Sequence, residues 1–577
     1  ALPWGIAVLL AVIAVWALTR TLPSPARQVA RLTLTLPESA PLASLSMGGA
    51  LAVSPDGKRL VYVADLGNTT ELHLREINRL QTRPLPGTRG ARGSFFSPDG
   101  QWVGFFAGGE LKKLYLDGGK PIVLCESNLA MDGSWGTDDT IFFTPVWSGG
   151  LWKISADGGD PVQVTTPAED EFGHWGARAL PGGEGVLFMI WRTSLNDCET
   201  ALLNRKTGEW RSLVTGAADA RYAPTGHILY AQSGTIVAAP FDLERLEIGE
   251  PHVPVLADVN QYLASGQVSL GLSGDGLLYY VRGGDWAASR RFVWVDSHGE
   301  AEPLPLSAAA YSQPRLSPDG RRLAFTKFED GAYQVWVHEL GGERTTQLTF
   351  ESSNLIPVWT RDGEWLSFQS YRNGPFDIFH IRTDRSQPEE ALLTSPNDQS
   401  PDCWSPDGQA LLFDVDDPRT RGDIWLLSAR DSNNSRPLIQ TSASEGSARF
   451  HPSGRWIAYV SDQSGRDEVF VQSFPDPGSI IQISADGGYS PRWSRDGREL
   501  FYRCGDRIMA VDIRTGLRFE AGSPRELFEG QYLAGSWDVA ADGRFIMVKP
   551  EPDDISEDVV VVFNWFEELN RLVPIDD

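Results

Sequence analysis

One unit recurs along the whole chain and limits what it can fold into. The stretch Pro491-Arg492-Trp493-Ser494-Arg495-Asp496-Gly497, followed by Glu499-Leu500-Phe501-Tyr502, reads as a short strand, a tight turn and a second strand. Asp-Gly is read as the two-residue hairpin turn, with apolar residues alternating on either side. Clear copies stand at Ser54-Pro55-Asp56-Gly57, Ser97-Pro98-Asp99-Gly100, Ser317-Pro318-Asp319-Gly320, Arg361-Asp362-Gly363, Ser405-Pro406-Asp407-Gly408, Pro452-Ser453-Gly454 and Ala541-Asp542-Gly543. Weaker ones lie at Asp138-Asp139, Pro181-Gly182-Gly183, Pro224-Thr225-Gly226 and Gly274-Asp275-Gly276. Twelve copies from Gly57 to Gly543 give a period of about 44 residues, the length of a four-stranded propeller blade.

The expected fold class is therefore all-β: two tandem six-bladed β-propellers preceded by one transmembrane helix. Twelve blades in one ring would be exceptional, and a 7+5 division is less even than 6+6. The longest interval, from Gly226 to Gly276, precedes Arg291-Phe292-Val293-Trp294-Val295-Asp296, which reads as a third strand and sets the break near residue 300. The domains read as a transmembrane helix over 1–20, a linker over 21–30, a first propeller over 31–300 and a second over 301–577. Arg31-Leu32-Thr33-Leu34-Thr35-Leu36 alternates strictly and is expected to complete the first ring. Asp558-Val559-Val560-Val561-Val562-Phe563 reads as another third strand, and the second ring is expected to close by pairing the chain's two ends. Proteolysis between residues 285 and 305 should then release two separate fragments.

Residues 1–19 carry no charge and reach just under 30 Å as a helix, enough to cross a bilayer core. Trp4 and Trp16 sit near its ends, and no basic leader or Ala-x-Ala site marks a cleaved signal. A membrane anchor is the expectation. The chain opens on Ala rather than Met, so a segment further upstream is expected too.

Chemistry is harder to find. The net charge of −25 and the lack of clustered Lys and Arg exclude nucleic acid as a partner class. Cys125, Cys198, Cys403 and Cys504 form no C-x-x-C pair, so zinc ribbons and thioredoxin-type sites are disfavoured. The eight histidines form no H-x-x-x-H or H-E-x-x-H, and no metal or cofactor is expected. Asp414-Val415-Asp416-Asp417 with Gly422-Asp423 lacks the ligand order of a calcium loop and reads as a solvated loop. No G-x-S-x-G exists for a hydrolase nucleophile, and Glu171-Phe172-Gly173 is a blade connection rather than a kinase D-F-G, since no H-R-D loop accompanies it. No catalytic residue is assigned and no enzyme activity is expected of this chain.

The units Trp404 to Phe413 and Trp493 to Tyr502 resemble TolB-type β-propeller repeats. Together with the apolar span, Leu85-Pro86-Gly87-Thr88, Phe95 to Phe106 and the closing Asn564-Trp565-Phe566-Glu567-Glu568-Leu569, the chain resembles the extracytoplasmic part of bacterial receptor-type serine/threonine protein kinases that carry TolB-like propellers. That resemblance implies a membrane-anchored sensor or protein-interaction region. It places the chain in the bacterial inner membrane as a single-pass protein, with its propellers outside and a kinase domain upstream. The alternatives are a TolB-like periplasmic envelope scaffold that binds other envelope proteins, and the accessory propeller of a peptidase. The partner is expected to be a protein or a small extracytoplasmic ligand. The fourth to sixth repeats diverge most. Trp175, Trp191, Arg192 and the run Asn196 to Glu199, together with Tyr262, are the candidate recognition residues, which places the recognition surface on the first ring.

Overall fold

The computed structural model describes residues 28–43, 49–67, 69–127, 132–262, 265–283, 289–372, 375–417, 419–429, 431–476, 478–516, 518–551 and 559–575. The fold is all-β, and the strands among these residues form twelve sheets of four or five strands. In the typical sheet four consecutive strands pair antiparallel in chain order. Tyr311–Leu316, Arg322–Glu329, Ala332–Glu339 and Thr345–Gln347 make one such sheet.

The repeated turn joins the first strand to the second, in a longer loop than a two-residue hairpin. In Ser494 to Gly497 the Gly497 N–H donates to the Ser494 carbonyl, and the Ser494 N–H donates to the Glu499 carbonyl. Only the glycine takes a left-handed φ, +71°. This is a reverse turn followed by a left-handed residue, which explains why Gly fills the position in all copies but one, where Asp139 takes φ +58°. The aspartate plays another part. Its carboxylate accepts from the Ser494 hydroxyl at 2.8 Å and the Arg498 N–H at 3.1 Å, closing the loop on itself.

Neighbouring sheets are tied at the same turn. Arg59 donates to the Gly100 carbonyl, Arg322 to the Gly363 carbonyl and the Tyr279 hydroxyl to the Gly57 carbonyl. The repeat tryptophans supply a second tie, with Trp359 and Trp493 donating to the carbonyls of Arg315 and Arg449 one repeat earlier. Between the sheets lie the apolar clusters that hold them together. Val61, Val63 and Leu74 pack on Val103 and Phe105, and Val469 and Val471 pack on Leu500 and Tyr502. Burial of each such side chain stabilises by about 1.5–3 kcal/mol.

The pairing of the chain ends corrects the expected domain limits. Strand Val559–Phe563 pairs on one side with Ala30–Leu34 and on the other with Leu278–Val281, so it completes a sheet of the first group. Strand Arg290–Val295 pairs with Phe545–Pro550 and belongs to the second. The second group thus runs from Arg290 to Pro550 as an insertion between two strands of one sheet of the first. The two ends do pair, but they close the first group rather than the second. A helix over Trp565–Leu572 then buries Trp565 and Leu569 against Val560, Val562 and Leu278.

The two groups meet through the ends opposite the Asp-Gly turns. Leu195 N–H donates to the Gly331 carbonyl at 3.2 Å and Asn196 Nδ2 to the Asp330 carbonyl at 2.9 Å. The Phe172 ring lies 4.7 Å from that of Tyr371 and 5.4 Å from that of Phe376. Gly505 approaches Gly67 so closely that a Cβ there would stand 3.0 Å from the Gly67 oxygen. Along the first group the meeting sheets ascend in sequence while those of the second descend. Two rings of one hand that face each other by the same end must be traversed in this way.

The expected location is corrected as well. Among the described residues no helix is long and apolar enough to cross a membrane, and single-pass anchoring in the inner membrane is without support. The stretch 1–20 and most of the 21–30 linker lie outside the described residues.

Candidate functional site: two axial charge clusters

The first strands of the sheets carry a recurrent irregularity with a chemical consequence. Register slips between Trp175 and Arg178, Ala218 and Arg221, Ser312 and Arg315, Gly446 and Arg449, and Tyr489 and Arg492. Two residues before each arginine the backbone takes a positive φ, at Gly176, Asp219, Gln313, Ser447 and Ser490. For the non-glycine cases this strain costs about 1–2 kcal/mol each. Such a bulge turns one side chain off the face that strand alternation would give it. Here it sends the arginine toward the axis around which the first strands converge.

In the first group the result is a closed network. Arg178 bridges Asp132 at 2.6 Å and Asp219 at 2.9 Å, while Arg221 donates to Asp219 at 2.8 Å. Gln267 donates to Asp132 at 3.0 Å, and Asp219 also accepts from the Val268 N–H. Burial acts against the Asp219 charge, but Arg221 and Arg178 hold it below the usual carboxylate range. Both guanidinium groups hydrogen-bond a carboxylate.

The inserted group is different. Arg315, Arg449 and Arg492 stand close enough to act on one another, with Asp402 and Asp538 between them. Arg449 alone hydrogen-bonds a carboxylate, Asp402 at 2.9 Å. The aspartates are engaged by backbone of the next sheet: Asp402 accepts from Ala448 N–H, Asp538 from Leu316 N–H and Asp414 from Ser447 N–H. Arg315 donates only to the Pro314 and Trp537 carbonyls. Arg492 donates only to the Pro491 carbonyl, with the Asp538 carboxylate 3.9 Å from its Nε. The buried Nε atoms of Arg315 and Arg492 make no hydrogen bond. Burial first, and Arg449 second, push the Arg315 guanidinium down to about 10 and Arg492 well down too. Burial, then the Asp402 charge, push the Asp414 carboxyl well above the usual carboxylate range.

The candidate recognition residues lie elsewhere, and the tryptophans and Tyr262 are buried. Trp175 and Trp191 are 0% and 2% exposed, and they stack on each other beneath Phe172 where the two groups meet. Arg192 is held there by Asp170, Glu171 and Glu199, and Asn196 bonds the other group directly. Tyr262 is buried at 2%, accepting at its hydroxyl from Ser269. The fourth repeat departs from the others where it packs on the second group of sheets. Nor is the Asp414 to Asp423 run a solvated loop: it belongs to the paired strands Ala410–Asp417 and Arg421–Ser428, with Asp423 fully buried.

The axial residues escape a reading based on alternation, yet a signal exists. Arg178, Arg221, Arg315, Arg449, Arg492 and Asp538 all stand five residues before the turn glycine of their repeat. Among the described residues no cluster of His, Cys, Asp and Glu could hold a metal ion, and all four cysteines are free.

No family profile matches the chain. It is 27% identical over 201 residues to the uncharacterised protein Atu1656 of Agrobacterium fabrum, covering 33% of this chain and 68% of that one. It is 24% identical over 199 residues to the uncharacterised peptidase YuxL of Bacillus subtilis, covering 27% and 30%. It is 31% identical over 112 residues to the Tol-Pal system protein TolB of Desulfosudis oleivorans, covering 18% and 24%. The chain thus spans less than a third of the last two relatives. A solved putative TolB from Agrobacterium tumefaciens overlays 46% of this chain and 99% of its own at 17% identity and a TM-score of 0.38, which adds nothing to the sequence matches. The fold is a TolB-like β-propeller.

Proposed function

We propose that the chain is a protein-binding scaffold of the bacterial envelope, built as two six-bladed propellers with the second inserted into the last blade of the first. The observation that carries this reading is the recurring four-stranded sheet with its Asp-Gly turn, in a chain whose matched stretches include TolB. Propellers of this kind bind through loops and axis, because the blade faces are spent on packing one another. The reading as a kinase ectodomain gives way to it, since the relatives that the chain resembles include TolB and a peptidase. No catalytic role is proposed for this chain's own residues. A peptidase's accessory propeller is the second reading, favoured by the match to YuxL.

Immobilised full-length chain exposed to envelope extract should retain a small set of proteins, each then re-tested in purified form by calorimetry. Binding of a purified envelope protein supports the scaffold. If no purified candidate binds, the scaffold reading falls.

A further inference from the structure

The two axial clusters arise from the same bulge, yet one is satisfied and the other is not. In the first, each guanidinium hydrogen-bonds an aspartate. In the second, three arginines stand among Asp402, Asp414 and Asp538, and only Arg449 hydrogen-bonds one of those carboxylates. Guanidinium groups stay protonated in proteins, so Arg315 and Arg492 carry their charge on the axis without a hydrogen-bonded carboxylate. The Arg492 side chain is only 6% exposed, and neither it nor Arg315 hydrogen-bonds a carboxylate. A buried charge without a hydrogen-bonded counter-charge is costly, and a fold bears that cost where a ligand offsets it. Solvent reaches the cluster, since Arg449 and Asp538 keep 13% and 20% of their side-chain surface. The axis is narrowed at the turn end by Arg495, which spans to the Ser317 and Pro318 carbonyls.

We propose that Arg315, Arg449 and Arg492 together receive one carboxylate group, carried by a bound polypeptide as its chain terminus or an acidic side chain. A planar carboxylate matches the fork of a guanidinium and would serve the buried Nε atoms of Arg315 and Arg492 that make no hydrogen bond. A phosphate dianion would bring twice the negative charge beside Asp402, Asp414 and Asp538 and is disfavoured. The inference rests on the protein-binding reading above and narrows it to one chemistry and one site.

The test uses the full-length chain and ligand-observed NMR titration with four probes. These are N-acetyl-trialanine, its C-terminal amide, N-acetyl-Ala-Glu-Ala amide and inorganic phosphate. Binding of the first alone assigns a chain terminus, and binding of the third assigns a side chain; either supports the proposal. Arg315→Gln and Arg492→Gln should each weaken the bound probe at least tenfold. Asp538→Asn keeps a carbonyl for the Leu316 N–H and removes a negative charge, so it should tighten binding. That gain guards against reading a folding defect as lost affinity. Equal binding of the trialanine amide, tighter binding of phosphate, or no binding by either carboxylate probe overturns the proposal. Envelope-protein capture is measured separately, so the scaffold reading can survive that failure.

Discussion

Leu32 and Val561 stand opposite each other in an antiparallel strand pair, so the two ends of the described chain complete one sheet. Arg31 and Glu568 reinforce the pairing at 2.7 Å, but an ion pair this exposed contributes well under about 1 kcal/mol. The apolar strand and the Trp565 ring beneath it hold the closure. Trp565→Ala should cost about 3–5 kcal/mol, as for other buried aromatic truncations. Calorimetry should show the loss in the first group's transition. An unchanged profile would mean that the helix does not support the closure.

A proteolytic nick between residues 283 and 289 should leave two fragments that remain together on native size exclusion. The C-terminal fragment carries the strand Val559–Phe563, which pairs with Ala30–Leu34 and Leu278–Val281 of the other. Separation should require denaturant. Fragments that part in native buffer would contradict the insertion.

Phe172 and Tyr371 meet edge to face across the two groups, with ring centroids 4.7 Å apart. A double-mutant cycle with Phe172→Leu and Tyr371→Leu should give a coupling of about 0.5–1.5 kcal/mol in thermal unfolding. Strict additivity would mean that the groups do not pack as described.

Burial, helped by Asp416 and Asp377, pushes the Asp398 carboxyl up to about 7 despite the bond it accepts from Phe376 N–H. In the unfolded chain the group titrates near ~3.9. Between those values the folded state holds a proton that the unfolded state lacks, so stability falls as pH rises through the window. The turn aspartates have the opposite sign. Asp496, held below its ordinary value by the Arg498 N–H and the Ser494 hydroxyl, adds stability above ~3.9 that is lost on acidification. Denaturant midpoints should therefore decline from about pH 5 to 7, and Asp398→Asn should flatten the decline. An identical slope in the variant would show that Asp398 does not titrate there.

Asp496→Pro should lower stability by more than about 1 kcal/mol, because proline at the third position of this reverse turn displaces Arg495 from its helical conformation. The Ser494 and Arg498 bonds to the carboxylate are lost as well. An unchanged melting temperature would mean that the loop accommodates another turn.

The turn, the strands around it and their period are written in adjacent residues, so the sequence by itself determined an all-β chain of blade-length units. Local chemistry decides these features: Gly497 must take a left-handed φ, and Asp496 bonds groups within two residues. Which sheet an unpaired strand joins is decided by closure entropy and packing across the whole chain. The pairing of the chain's two ends was legible in Val559–Phe563, but only the tertiary structure sets that strand beside Leu278–Val281 and so closes the first group with it. The same holds for the site. Arg492 occupies a position that alternation treats as an ordinary strand residue, until a bulge at Ser490 turns it to the axis. Trp175 carries no mark that separates a recognition anchor from an internal contact, because a second group of sheets, distant in sequence, supplies what covers it.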